Sequence, residues 1–355
     1  MKTAACALAS LRCKLFILLQ FLALLWDCLK RRAGLETVPA GFLQEFSMKS
    51  AVPKSNFRRW EHKWGLLFIA PWLIGFVCLY LGPMIASFIF SFLNFNLIEP
   101  EKTRFVGAEN WSRALMEDPL VLKSIAHILE YTIISLPVSF GFSLMTALLL
   151  NSRHLMGKKL FRALFYLPSM VPLVATVLIW QGIMNEQTGW YNLILQNMGM
   201  QGVRWLTSPK IIYISYTFIG LWGCGNTILI FLAGLQGVPK ALYEAAIIDG
   251  ANSFQRMWTV TLPMVTPVLF YNLLMGVINL MQFFLTPMVI NNGSGFPDGM
   301  TNFPMVYFYR QAFSYFNMGY GAVIAWIIFF IGMLFTVVLF GTSNKWVFYA
   351  GGDKN

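Results

Sequence analysis

The chain has 355 residues, 57% of them apolar and only 12% charged, with a mean hydropathy of +0.62; soluble domains carry about 25% charged residues. That composition, laid out in long apolar runs, leaves an all-α polytopic membrane protein as the class. The formal net charge of +11 does not indicate nucleic acid, because Lys and Arg are dispersed between the runs in the manner of the positive-inside bias. The five cysteines include no C-x-x-C pair, and His62, His127 and His154 are scattered, so neither a disulfide framework nor a metal site is indicated.

Residues 1–63 read as an N-terminal extension and a basic leader. Leu15–Leu29 is an apolar run bracketed by Arg12 and Lys14 before it and by Lys30, Arg31 and Arg32 after it. It is short for a span, which needs about 20 residues, and it contains Gln20 and Asp27. Four readings stay open: a signal-like segment, an interfacial helix, an extra short span, or translation starting at Met48. The segment Met48–Lys63 already has the character of a cytoplasmic leader.

Residues 64–120 hold the first span, about Trp64–Phe92, interrupted by Pro71 and Gly82-Pro83, and an acidic loop, Asn94–Pro119. The core, residues 121–341, starts with a second span over about Val121–Leu150, where His127 and Glu130 read as an interfacial pair near its outer end. A basic loop with Arg153, Lys158, Lys159 and Arg162 follows. The third span, about Phe161–Met184, contains Leu167–Pro172 with two prolines four apart; such backbone is tolerated in hydrocarbon only where protein or a cavity satisfies the freed groups. After an aromatic, nearly uncharged loop, Asn185–Lys210, comes a fourth span, Ile211–Gly237, thinned by Gly220, Gly223 and Gly225.

Residues 239–263 form a polar loop between the fourth span and a fifth, Met264–Ile290. Pro239 precedes a short helix over Lys240–Ile248, closed at Asp249-Gly250, where Gly can take the left-handed C′ conformation. Asn252 or Ser253 can cap a second helix, with Gln255 as the capping-box partner. Pro263 and Pro267 are expected to break the chain into the fifth span. The paired small residues Ala245 and Ala246 let another surface approach the backbone. A Gly/Asn-rich loop, a sixth span over about Tyr320–Gly341 and a short tail, 342–355, complete the chain.

Charge counts set the orientation. Thirteen Lys and Arg lie in 48–63, 153–162, 240–256 and 342–355, against six in the alternate loops. Leader, tail and polar loop are therefore expected in the cytoplasm. In the fifth span, Asn272, Gly276, Asn279, Phe283 and Thr286 recur at helical spacing, with Gln282 at the edge. Uncharged amides with aromatic rings suit a sugar lining a cavity; they serve equally as glue between helices. No ionisable side chain lies on this stripe, which favours a neutral sugar over a uronate or phosphate ester.

The polar loop resembles the EAA loop of ABC-transporter permeases. Glu244, Ala245, Ala246, Gly250, Val260, Leu262 and Pro263 stand at that motif's spacing, with Val260 where Ile is commoner. Asp249-Gly250-Ala251 is the form typical of binding-protein-dependent sugar permeases, and Arg104–Trp111 resembles a phrase in their first external loop. From Phe105 to about Gly341 the chain is similar to permeases of the maltose-transporter type.

The resemblance implies six core transmembrane helices of the type I ABC importer permease fold, in a bacterial cytoplasmic membrane. It implies ATPase coupling through Glu244, Ala245, Ala246, Asp249, Gly250, Leu262 and Pro263, and a substrate path at Ser169, Leu173, Trp222, Gly223, Met275, Ile278, Asn279 and Gln282. Leu173, Trp222 and Met275 depart from the smaller or more polar residues of maltose permeases, so a different sugar or a differently shaped path is expected. It also implies a second homologous permease, two ABC ATPase subunits using ATP and Mg, and an extracytoplasmic substrate-binding protein, with no cofactor on this chain. A uronate oligosaccharide or glycerol phosphate is the alternative solute.

The chain has no phosphate loop of its own, since Gly157-Lys158 is followed by Lys159 and lacks the upstream Gly. An ion-coupled transporter would place charges at mid-span and show internal repeats. A membrane enzyme would need convergent His, Asp, Glu or Cys. The central spans carry neither pattern.

Overall fold

Some prolines break helices and others are carried inside them. The computed structural model describes residues 54–152 and 155–348; the extension 1–48 with its Leu15–Leu29 run, Arg153, His154 and tail residues 349–355 lie outside the described residues. The chain divides into two units. The first ends at Gly75, and its described part is helical from Lys54 onward, within α1 (Lys54–Phe76). Pro71 sits inside that helix without ending it.

The second unit begins at Phe76. Its elements are α2 (Gly82–Phe90), β1 (Leu93–Asn94), β2 (Arg104–Phe105), α3 (Glu109–Ser112), α4 (Pro119–Asn151), α5 (Lys158–Tyr166), α6 (Leu173–Ile183), α7 (Trp190–Asn197), α8 (Ile212–Trp222), α9 (Gly225–Gln236), α10 (Lys240–Ile248), α11 (Ser253–Arg256), α12 (Leu262–Met281), α13 (Leu285–Asn291), α14 (Pro304–Tyr309) and α15 (Met318–Trp346). The two strands pair antiparallel, Leu93 opposite Phe105.

Wide π turns occupy Val77–Leu81, Arg113–Glu117 and Met257–Thr261, each followed by one residue and then a proline: Pro83, Pro119 and Pro263. The residue before the proline donates its N–H to the carbonyl five back, as Gly82 does to Val77, Asp118 to Arg113 and Leu262 to Met257. A proline has no N–H and its ring crowds the carbonyl four residues back. At Pro83 and Pro263 one widened turn gives the crowded carbonyl room and lets the chain stay helical, whereas Asp118 is extended and Pro119 opens a new helix.

Among the described residues four helices are long and apolar enough to cross a membrane: Gly65–Phe90, Pro119–Asn151, Ser253–Asn291 and Met318–Trp346. Two further pairs, Lys158–Met170 with Leu173–Ile183 and Ile212–Trp222 with Gly225–Gln236, are bent by 99° and 60°. Counting each pair as one span gives six. The third span is therefore not one helix over 161–184, because Pro168 and Pro172 break it, and the fourth breaks at Gly223-Cys224. The sixth span runs beyond Gly341 to Trp346, so the first part of the expected tail is helical.

Two buried clusters lie along α4. Ala147 and Leu150, toward its C-terminus, pack with Phe231, Leu235, Val238 and Val265. Tyr131, nearer its N-terminus, packs with Tyr213, Tyr216 and Phe303. Ahead of α4 the Asp118 carboxylate accepts hydrogen bonds from Tyr307 Oη and Tyr320 Oη, both 2.6 Å, and from the Leu120 N–H at 2.9 Å. Gln311 Nε2 donates to Tyr307 Oη, and the Arg113 guanidinium lies 4.6 Å from the Tyr320 ring centre. Partial burial disfavours the Asp118 charge; the bonds from Tyr307, Tyr320 and the Leu120 N–H, with nearby Arg113, outweigh it and hold the carboxyl below its ordinary range. Burial and the bond to Asp118 push the Tyr307 phenol up to about 12.

Candidate functional site

The polar loop is a bracket whose two helices are each fixed by backbone bonds. The extended conformation of Pro239 starts α10, which runs over Lys240–Ile248 as the sequence predicts. It ends in a Schellman motif: Gly250 has φ +78°, the Gly250 N–H reaches Ile247 O at 3.0 Å, and the Ala251 N–H reaches Ala246 O at 2.9 Å. Asn252, not Ser253, caps the second helix. Its Oδ1 accepts from the Gln255 N–H at 2.9 Å, and Gln255 Oε1 accepts from the Asn252 N–H at 2.8 Å, completing a capping box.

Contrary to the sequence expectation, Pro263 does not break the chain. The second helix passes through the π turn Met257–Thr261 into α12, and Pro267 lies inside α12. The bracket and the fifth span are thus one continuous helical rod over Ser253–Met281. Across the bracket Tyr243 Oη and Thr261 Oγ1 share a hydrogen bond of 2.9 Å. Tyr243, Val260 and Met264 pack on the Leu150–Val265 cluster. Glu244, Ala245, Asp249 and Gly250 are exposed, with Ala246, Leu262 and Pro263 half-buried. Around them lie Ile248 at 85%, Phe254 at 66% and Trp258 at 57% exposure.

The predicted path residues cluster at helix discontinuities. Ser169 lies in the 3-10 turn Leu167–Met170, its Oγ donating to Tyr166 O at 2.7 Å. Leu173, 53% exposed, opens α6. Trp222 is the last residue of α8 and Gly223 is the exposed break after it. Met275, Ile278 and Asn279 occupy the last two turns of α12, and Gln282 follows its end. Met275, Asn279 and Gln282 are exposed and Ile278 half-buried.

The first two breaks touch, since a methyl group added to Gly225 would stand 2.5 Å from Phe165 O. The Trp180 and Trp222 rings are 6.1 Å apart, and α6 packs against α13 beyond the third break. Nothing in the sequence beyond a cluster of glycines marks Gly225 as the contact.

The predicted polar stripe of the fifth span divides. Asn272 is buried and its Nδ2 donates to Val268 O at 3.0 Å. A methyl at Gly276 would meet Leu136 Cδ1 at 2.6 Å, the Phe283 ring lies 4.8 Å from that of Tyr131, and Thr286 is buried. These four pack into the protein, against α4 among others. Asn279 alone of the five is exposed, because it sits where the stripe meets the Met275–Gln282 face.

Residues 124–347 match the family described as the binding-protein-dependent transport system inner membrane component. The chain belongs to this family. It is 35% identical to the probable ABC transporter permease protein YesP of Bacillus subtilis (strain 168), covering 86% of this chain and 98% of that one. It is 32% identical to the arabinooligosaccharides transport system permease protein AraP of the same organism, covering 79% and 88%. The fold is that of a chain in the crystal structure of a bacterial ABC transporter involved in import of the acidic polysaccharide alginate, with TM-score 0.70 at 20% identity, covering 81% and 98%. The permease is accordingly a multi-pass inner-membrane component of an ABC importer, not its catalytic subunit, and the ATPase resides on another chain.

Proposed function

We propose that this permease carries a sugar or oligosaccharide across the membrane by alternating access, with the bracket at 239–263 docking an ABC ATPase. The observation that supports this reading most is the siting of all eight path positions at or within two helical turns of breaks in the third, fourth and fifth spans. Interrupted helices expose backbone groups only where a cavity or protein satisfies them, and a path for a hydroxyl-rich solute is such a cavity. The likeness to AraP supports a sugar as the solute.

In this reading ATP binding closes two ATPases, the bracket moves with them, and the rod from Ser253 to Met281 carries the displacement to Met275, Ile278, Asn279 and Gln282. A second homologous permease completes the path, and an extracytoplasmic binding protein delivers the solute. The leader within 1–63 and the tail 342–355 face the cytoplasm with the bracket, while 64–120 supplies the first span and outer loop and 121–341 the core. The test is co-purification of the permease with its ATPase, with Glu244–Gly250 intact and replaced by a Gly-Ser linker, together with uptake of arabinotriose, maltotriose and lactose by the full complex. Retention of the ATPase by the linker variant would overturn the docking role, and uptake of none of the sugars the solute class.

A further inference from the structure

At the end of α6 remote from Leu173 is a cavity of about 300 Å³ between the 184–188 turn, the Leu206-Thr207 segment and the end of α13. We propose that it is a subsite for one neutral sugar ring at the outer mouth of the path; this rests on the sugar reading above and on that end facing outward. The volume lies at the small end of ligand sites, about 300–1,000 Å³, so it admits a ring or two and no long chain. Gln181 lies about 12 Å along α6 from Leu173, next to Trp180, whose ring is 6.1 Å from that of Trp222.

The cavity wall is built rigidly. Asn192, buried behind it, uses its whole amide: Nδ2 donates to Glu186 O and Val203 O, both 2.9 Å, and Oδ1 accepts from the Val203 N–H at 2.9 Å and Trp205 Nε1 at 3.0 Å. Asn185 Oδ1 accepts from the N–H groups of Gln187 and Thr188 at 3.0 Å. These bonds fix the turn from which Glu186 and Gln187 project. Thr207 Oγ1 donates to Glu186 Oε1, and Arg204 Nε is 3.7 Å from the same oxygen. Glu186 Oε2 and the side-chain amides of Gln181 and Gln187 have no hydrogen-bond partner among the described residues.

Free amides that donate and accept, one open carboxylate oxygen and an apolar floor of Met184, Leu206 and Ile290 match the two characters of a sugar ring, hydroxyl rim and C–H face. A preset wall keeps the ordering cost low. Paired with Arg204, Glu186 leaves the cavity without a net positive charge to hold a uronate. With no group of three His, Cys, Asp or Glu among the described residues able to hold a metal, a cation site is the weaker fit.

The test uses the complete complex in nanodiscs and whichever of arabinotriose, maltotriose or lactose it accumulates. Hydrogen exchange is followed over 181–187 and 204–207 with that sugar and with digalacturonate. We expect protection by the transported sugar alone, and a loss of apparent affinity of about two- to tenfold in both Glu186→Gln and Gln187→Ala. Gln187→Ala, on an exposed position, keeps the test meaningful if Glu186→Gln disturbs the loop. Uptake without any sugar protection would overturn the subsite while leaving the importer reading standing. Equal protection by digalacturonate would overturn its neutrality. Protection by empty binding protein, with none from sugar, would assign the cavity to protein docking instead. A complex that takes up none of the sugars sinks the sugar reading, and this subsite with it.

Discussion

Tyr243 Oη and Thr261 Oγ1 lie 2.9 Å apart, so the residue before Glu244 is bonded to the residue before Leu262-Pro263. The bond closes the bracket, and the buried Thr261 hydroxyl also donates to Arg256 O at 3.4 Å, so losing the tie weakens the bracket without leaving that hydroxyl unpaired. Force received at the exposed face of α10 can therefore reach α12 through a side-chain tie as well as through the Gly250 turn. Tyr243→Phe is expected to lower solute moved per ATP hydrolysed, with about 0.5–1.5 kcal/mol lost from the bracket. Thr261→Val should do the same, and the double variant should be no worse than either single. Additive losses would show that the two residues act separately.

Gly250 has φ +78°, and a Cβ there would meet no atom within 4 Å. Any penalty for substitution is thus a backbone penalty, about 1–2 kcal/mol for a residue with a Cβ in the left-handed region. Gly250→Leu should abolish uptake at normal membrane levels, whereas Gly250→Asn, which tolerates this conformation, should retain most of it. Equal activity of the two variants would remove the turn from the coupling argument.

The Asp118 clamp predicts a direction with pH. Its folded pKa lies below the ordinary 3.8, so its contribution is fully present above that value and is lost as pH falls through the folded one. Between pH 7 and 5 the clamp should contribute no pH dependence. Asp118→Asn should destabilise the purified permease by about 1–3 kcal/mol at pH 7, read by thermal unfolding in detergent. The difference should shrink only as the pH falls below 3.8 and through the lower folded pKa, and a loss already complete above 3.8 would show that ionisation is not what the tyrosines recognise.

Asn279 is exposed at the seam between the packed stripe and the Met275–Gln282 face. Asn279→Ala should raise the half-saturating solute concentration about two- to tenfold, the worth of one neutral hydrogen bond, with assembly unchanged. Asn272→Ala should behave oppositely, because its amide serves Val268 O: less assembled complex, unaltered affinity. Size-exclusion yield and uptake kinetics on the two variants separate the roles. An altered affinity in the Asn272 variant alone would reverse the assignment.

What the amino-acid sequence determined by itself is local. The membrane class follows from apolar runs, and α10 from Pro239 at one end and Asp249-Gly250 at the other. The capping box at Asn252 and Gln255 follows too, because caps, glycine turns and hydropathy are interactions between residues a few positions apart. Prolines were legible as perturbations, but their outcome was not. Pro168 and Pro172 break the third span by 99°, whereas Pro71, Pro137 and Pro267 lie inside helices, and Pro263 is absorbed by a π turn. Which occurs depends on whether neighbouring groups satisfy the freed carbonyl and fill the bend, as the Phe165–Tyr166 backbone does against Gly225. The same limit applies to the fifth-span stripe. Helical spacing put five residues on one face, and only tertiary packing, with Leu136 against Gly276 and Tyr131 against Phe283, decided that four of them meet protein and Asn279 remains open.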